Sequence, residues 1–164
     1  MNYWLIKSEG DCYSIDDLKK DKRTAWEGVR NFQARNYMKQ MRVGDRLLFH
    51  HSNGTPQSPT GIYGIAQVVA AAHIDESAFN PKDEHYDPKA VKYAKEGKEP
   101  LWECVDVAFV RKFPHALTLQ AIKSDKLLRN MVVAQQGSRL SVTPVEKAHF
   151  ERVVELGSEM GLPG

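Results

Sequence analysis

The sequence predicts an α+β fold: a curled mixed sheet or small β-barrel with helices packed on its outside. Three observations carry this. Runs of apolar, branched and aromatic residues bounded by Gly, Pro, Asn and Asp, the mark of strands, outnumber the helical patterns. The runs at 47–49 and 62–69 are joined by a loop too short for a crossover helix, so they should pair antiparallel. A length of 164 residues suits one domain with a real core and is short for two. We assign 1–157 to that domain and 158–164 to a C-terminal tail; no repeat, low-complexity tract or linker divides the chain.

Taken in order, Tyr3 to Lys7 is aromatic and branched and reads as the first strand. Ser14-Ile-Asp-Asp17 resembles a capping box and opens a short helix through about Lys20. A second helix is expected over Asn31–Met41, where Phe32, Tyr37, Met38 and Met41 fall at mixed helical spacing. Val43-Gly-Asp45 is a turn before the buried strand Leu47–Phe49, and Asn53–Gly61 is a loop. The strand Ile62–Val69 is punctuated by Gly64, a sign of a bulge or a close approach. Asp75–Pro100 is a polar excursion with one helical turn near 90–94. Trp102–Val110 alternates as a long strand that Phe113-Pro114 should end. Short helices follow at 117–122, with Thr118 a candidate cap, and at 127–131, then a strand at 140–142. Thr143-Pro-Val-Glu146 reads as the start of a final helix that buries Val145, Phe150, Val153 and Val154 and ends near Gly157.

Composition narrows the function classes. Hydrophobic content of 41% and charged content of 27% are those of an ordinary globular protein. No apolar run approaches the ~20 residues that span a bilayer, and the chain opens directly on a strand. A cytoplasmic protein is therefore expected, or a nuclear one if the source is eukaryotic. Cys12 and Cys104 have no ligand spacing and should be separate reduced thiols. No phosphate loop, dinucleotide turn, nucleophile elbow or zinc-ligand spacing occurs, so no metal, cofactor or catalytic residue is assigned. His50 and His51, as strand neighbours, should point to opposite faces and cannot share one metal. Cys12 precedes a helix cap, which can lower a thiol pKa, but no base stands nearby in sequence.

The net charge of +2 hides segregation. Nine Lys/Arg face three acids between Lys19 and Arg46, whereas Asp75–Asp87 holds five acids and one lysine. A basic face on a near-neutral protein suits a polyanion. Within it, Trp26-Glu-Gly-Val-Arg-Asn-Phe-Gln-Ala-Arg-Asn36 sets a flat aromatic beside two guanidinium groups, a pairing that can hold a planar anionic partner. Trp26 alone reads equally as a core anchor, Arg30, Arg35 and Arg139 as solvated surface, Ser8 as a cap and Asn53 as a turn residue.

Several segments together resemble the EVE domain, a relative of the PUA-like and YTH folds. They are Tyr3-Trp-Leu-Ile-Lys-Ser-Glu9, the Trp26–Asn36 stretch, Met41-Arg-Val-Gly-Asp-Arg-Leu-Leu-Phe-His-His-Ser-Asn53, Gly61-Ile-Tyr-Gly-Ile-Ala66, Tyr86-Asp-Pro88, Trp102-Glu-Cys-Val-Asp-Val107 and Gln136-Gly-Ser-Arg-Leu-Ser-Val-Thr-Pro-Val145. They stand in family order over nearly the whole chain. Two departures are Gly10, where the family commonly has proline, and a longer loop over Gly54–Thr60. The resemblance implies a PUA-like small mixed barrel with a concave pocket that recognises a methylated or hydroxymethylated base in DNA or RNA. It implies Trp26 as a cage wall, with Ser8, Asn31, Ser52 and Asn53 around the base. Lys7, Arg30, Arg35 and Arg139 would hold phosphates. Two other readings remain open: a small enzyme acting on modified nucleotides or RNA, with an acid/base pair among Glu9, Asp45 and His51, and a small-molecule sensor or protein-interaction domain.

Overall fold

The computed structural model describes residues 1–137 and 139–159, so Ser138 and residues 160–164 of the expected tail lie outside the described residues. Six strands form one mixed sheet: β1 (Tyr3–Glu9), β2 (Arg23–Ala25), β3 (Arg46–Ser52), β4 (Gly61–Ile74), β5 (Glu103–Thr118) and β6 (Val142–Val145). They run in the order β2-β5-β4-β3-β1-β6. The barrel is thus left open, with β2 and β6 as its unjoined ends. β3 and β4 pair antiparallel, as the short loop requires, while β1 and β3 run parallel. The parallel pair is possible because α1 (Ile15–Asp21), β2 and α2 (Phe32–Gln40) supply the long crossover between them.

Local signals set the helix starts. Ser14 and Asp17 make a reciprocal capping box at α1, and the Asn31 side chain accepts the Ala34 N–H at 2.9 Å to start α2. Asp87 and the Pro88 that follows start α3 (Pro88–Lys95), and Thr118 caps α4 (Leu119–Ser124). Short 3₁₀ turns occupy Glu76–Phe79, Leu128–Asn130 and Val132–Ala134. The expected helix at 127–131 is therefore a 3₁₀ turn and a loop.

Two expectations are corrected. β5 runs on through Pro114 to Thr118, because residues 113–116 bulge opposite Tyr63, where the ladder makes no demand on the missing proline N–H. Thr143 and Pro144 do not begin a helix. They lie in β6, pairing antiparallel with Leu5 and Trp4, and α5 (Lys147–Glu159) starts after them. That helix passes through Gly157, against which Phe113 packs too closely for a Cβ, and continues to Glu159.

The sheet separates two cores. One gathers Trp4, Ile6, Trp26, Met38, Leu47, Phe49 and Val107 beneath α1 and α2. The other gathers Leu5, Leu48, Ile62, Phe113, Leu117 and Val153 beneath α4 and α5. Alternate residues of β1 and β3 serve opposite cores, the period-two rule of a strand. At the amino end of β1 and β3, Asp45 is 2% exposed and accepts the Asn2 and Arg42 N–H groups and the Trp4 indole N–H, each at 3.0 Å. Burial alone would push its pKa up; these donors outweigh it and hold it below the ordinary carboxylate value.

Candidate nucleic-acid interface

A cleft of about 950 Å³ opens at the carboxyl end of β1. Its floor is Lys7, Ser8 and Glu9 of β1 with Tyr13. One wall is the segment Thr24–Arg30, and the other is the acidic segment that includes Ser77 and Lys82–His85. A second depression, about 510 Å³ and lined by Met1–Trp4, Pro144, Val145 and Lys147, offers no carboxylate, histidine or thiol in its lining. The chemistry therefore converges on the first.

Trp26 is held from behind. Its backbone N–H binds Val105 O at 2.8 Å, and its ring meets Phe49 edge-on at 5.5 Å and Tyr13 at 6.1 Å. It is 9% exposed, and no group of the described residues accepts its indole N–H. Gly28 then lets the chain turn away with φ +89° in a space closed by the His85 ring, 2.7 Å from where a Cβ would sit. Beyond it, Arg30 folds back onto the opposite wall. Its guanidinium donates to Asp75 Oδ2 at 2.9 Å, Ser77 Oγ at 3.1 Å and His85 O at 2.8 Å. Asp75 also takes the Gly28 N–H at 2.9 Å. Burial would raise the Asp75 pKa, but the Ser77 hydroxyl, Gly28 and Arg30 outweigh it and hold the carboxylate low. One ion pair thus staples the two walls together.

The other residues singled out from sequence take varied places. Ser8 lines the cleft and donates to Tyr13 O at 2.7 Å, and Lys7 lines it with its pKa lowered by burial. Asn31 spends its side-chain oxygen on the α2 cap. Ser52 ends β3, and Asn53, at φ +53°, donates to Glu9 Oε1 at 3.0 Å, so both stand behind the floor. Arg35 lies outside the cleft. It donates to Leu101 O at 2.8 Å and to Asn36, and covers the face of Phe32, which stacks on Trp102 at 4.9 Å. Its partners are neutral, so its charge stays available. Arg139 is exposed beside Ser138, which lies outside the described residues. Sequence reasoning missed Glu27, Lys82, Glu84 and His85 as lining residues. For Glu27 the signal was present, directly after Trp26, but it read as background charge.

His50, His51 and both thiols are structural or blocked. His50 is 2% exposed with neither ring nitrogen bonded, and burial, then the Lys7 charge, lowers its pKa to about 3. His51 is lowered to about 4 by burial, accepts the Ile15 N–H at 3.1 Å and stacks on Tyr63 at 3.8 Å. Its Nδ1 fills the space a Cβ at Gly10 would need, at 2.9 Å, which accounts for glycine there. Both cysteines are free. Burial pushes the Cys104 thiol up to about 12, and Cys12 is raised by its hydrogen bond to Glu9, the reverse of what its position before a helix suggested.

Comparison with known proteins agrees with this architecture. A family model described as the EVE domain matches residues 2–156. The chain belongs to the EVE domain family. This EVE chain is 36% identical over 176 residues to thymocyte nuclear protein 1 of Gallus gallus, covering 96% of this chain and 69% of that protein. Among solved structures, a hypothetical protein from Leishmania major is 42% identical with a TM-score of 0.87, covering 97% of this chain and 96% of that one. Human THYN1, solved in complex with 5-methylcytosine-containing DNA, is 35% identical with a TM-score of 0.85, covering 96% of this chain and 98% of that one. No helix among the described residues is long and apolar enough to cross a membrane.

Proposed function

We propose that the chain binds nucleic acid carrying a methylated or hydroxymethylated base and takes that base out of its stack into the cleft, against Trp26. The observation that supports this most is a tryptophan anchored from behind whose indole N–H is left unspent beside a cleft roomy enough for a base. The human relative solved with 5-methylcytosine DNA points the same way. Ser8 would stand at the base edge. Ser52 and Asn53 would brace the floor through Glu9, and Asn31 would hold α2 in place. Arg35 and Arg139 would carry phosphates, while Arg30 acts as the staple between the walls.

Magnitudes fit this division of labour. Extruding a base costs a few kcal/mol, and stacking on an aromatic returns about 1–3 kcal/mol. One buried methyl adds only about 0.8 kcal/mol. Preference for a modified base therefore needs polar reading of the base edge as well as a cage. The test is a panel of matched DNA and RNA oligonucleotides with unmodified, methylated and hydroxymethylated bases. Tighter binding of a modified member is expected, and equal affinity across the panel overturns the reading.

A further inference from the structure

The cleft is not the basic groove that a phosphate-reading surface would be. Glu9, Glu27, Asp83 and Glu84 line it against Lys7, Arg30 and Lys82, and Arg30 is already neutralised by Asp75. Phosphates are repelled from such an interior; a neutral group rich in N–H donors is drawn to it. Two adjacent residues keep hydrogen-bonding capacity toward the cleft. Trp26, nine-tenths buried, keeps an indole N–H that no described group accepts. The Glu27 carboxylate receives no side-chain hydrogen bond and only the backbone N–H of Ser77, which it shares with Asp75 at 3.0 Å. Burial, then the acids Asp75, Asp83 and Glu76, raise the Glu27 pKa, so a donor brought to it relieves a crowded charge.

A carboxylate acceptor beside the stacking ring matches one kind of base edge. The amidine edge of cytosine presents an exocyclic amino donor next to a ring-nitrogen acceptor, and adenine shares the pattern. The imide edge of thymine or uracil presents a carbonyl where the amino group would be. We infer that Glu27 is the specificity-determining residue of the cleft, accepting the exocyclic amino group of the extruded base that stacks on the neighbouring Trp26. Carboxylates take this role toward cytosine in other settings. The inference rests on the base-extrusion reading above and adds which base edge is read.

5-Methylcytosine and thymine carry the same methyl group and differ only at this edge. Each is placed opposite an abasic site in one otherwise identical duplex, so that no pairing energy separates the two probes. The wild type is expected to prefer 5-methylcytosine by about tenfold or more. Glu27→Gln, at an exposed position, should keep the melting temperature and shrink the preference to about threefold or less, because an amide can offer either a carbonyl or an amino group. Full discrimination retained by Glu27→Gln, or a wild type that binds both probes equally, overturns the assignment and leaves base extrusion standing. A wild type that binds neither probe overturns the extrusion reading and this inference with it.

Discussion

The two ends of the parallel pair β1–β3 spend their polar groups in opposite ways. At the amino end Asp45 collects three N–H donors, the Trp4 indole among them. On the flank, Trp102 likewise gives its N–H to Asp87 at 2.7 Å. At the carboxyl end the third tryptophan, Trp26, gives its N–H to nothing described. Close by, both His50 nitrogens and His51 Nδ1 are buried without partners. A fold that satisfies two of its three indoles has the means to satisfy the third. The difference separates an end of the sheet whose polar groups are paired from the end where the cleft opens.

The comparison breaks or sharpens in four experiments, the largest effect first. Both histidines titrate near 6.5 unfolded and lower when folded, about 3 for His50 and about 4 for His51. Below 6.5 the unfolded chain binds more protons, so stability should be full above that pH and drain away as it falls toward 4. The loss should be on the order of a few kcal/mol. Urea unfolding at pH 7.5 and 4.5 reads it, and His50→Leu should make the acid end less costly; a flat profile would deny that the carboxyl end is strained. Next, Asp45→Ala should cost about 3 kcal/mol of stability while leaving oligonucleotide affinity unchanged, since it orphans three donors far from the cleft.

Trp26→Phe and Trp4→Phe each remove the N–H together with half of the bicyclic ring, so both should cost packing of about 1–3 kcal/mol. Trp26→Phe should also weaken modified-base binding about tenfold, whereas Trp4→Phe should leave that binding unchanged. Equal behaviour of the two variants would erase the distinction drawn between the two ends. Smallest, Arg35→Gln should weaken all oligonucleotides alike and lower the salt dependence of log K by about one, measured by titration at several ionic strengths.

Much of the frame was legible because its signals are local. Ser14 with Asp17, and Asn31 before Phe32, start helices by chemistry within one turn. Gly64 marked the irregular β4–β5 approach, and the short 53–61 connection fixed antiparallel pairing. What escaped depends on distant partners. The three residues of β2 have no strand pattern of their own and are strands only because β5 pairs with them. Thr143-Pro-Val-Glu146 carries a helix start signal, yet β1 draws most of it into the sheet. The site divides in the same way. Trp26, Ser8, Lys7 and Arg30, which the sequence singled out, line the cleft. That Arg30 is spent on Asp75, forty-five residues on, and that acids line the opposite wall, follows only from the fold.

Gly28 carries a consequence for how such a cleft can diversify. Its left-handed backbone and the His85 ring at 2.7 Å oppose a side chain there by two independent routes. A compensating change at His85 would free the space but not the torsion. Any substitution at the position therefore carries a backbone strain of about 1–3 kcal/mol even after the ring has moved. Lineages descending from this chain can rewrite the rim, exchange Glu27 and recolour the opposite wall, but the pivot on which Trp26 turns is inherited whole. New specificities should arise by changing what the tryptophan faces while its own placement stays fixed.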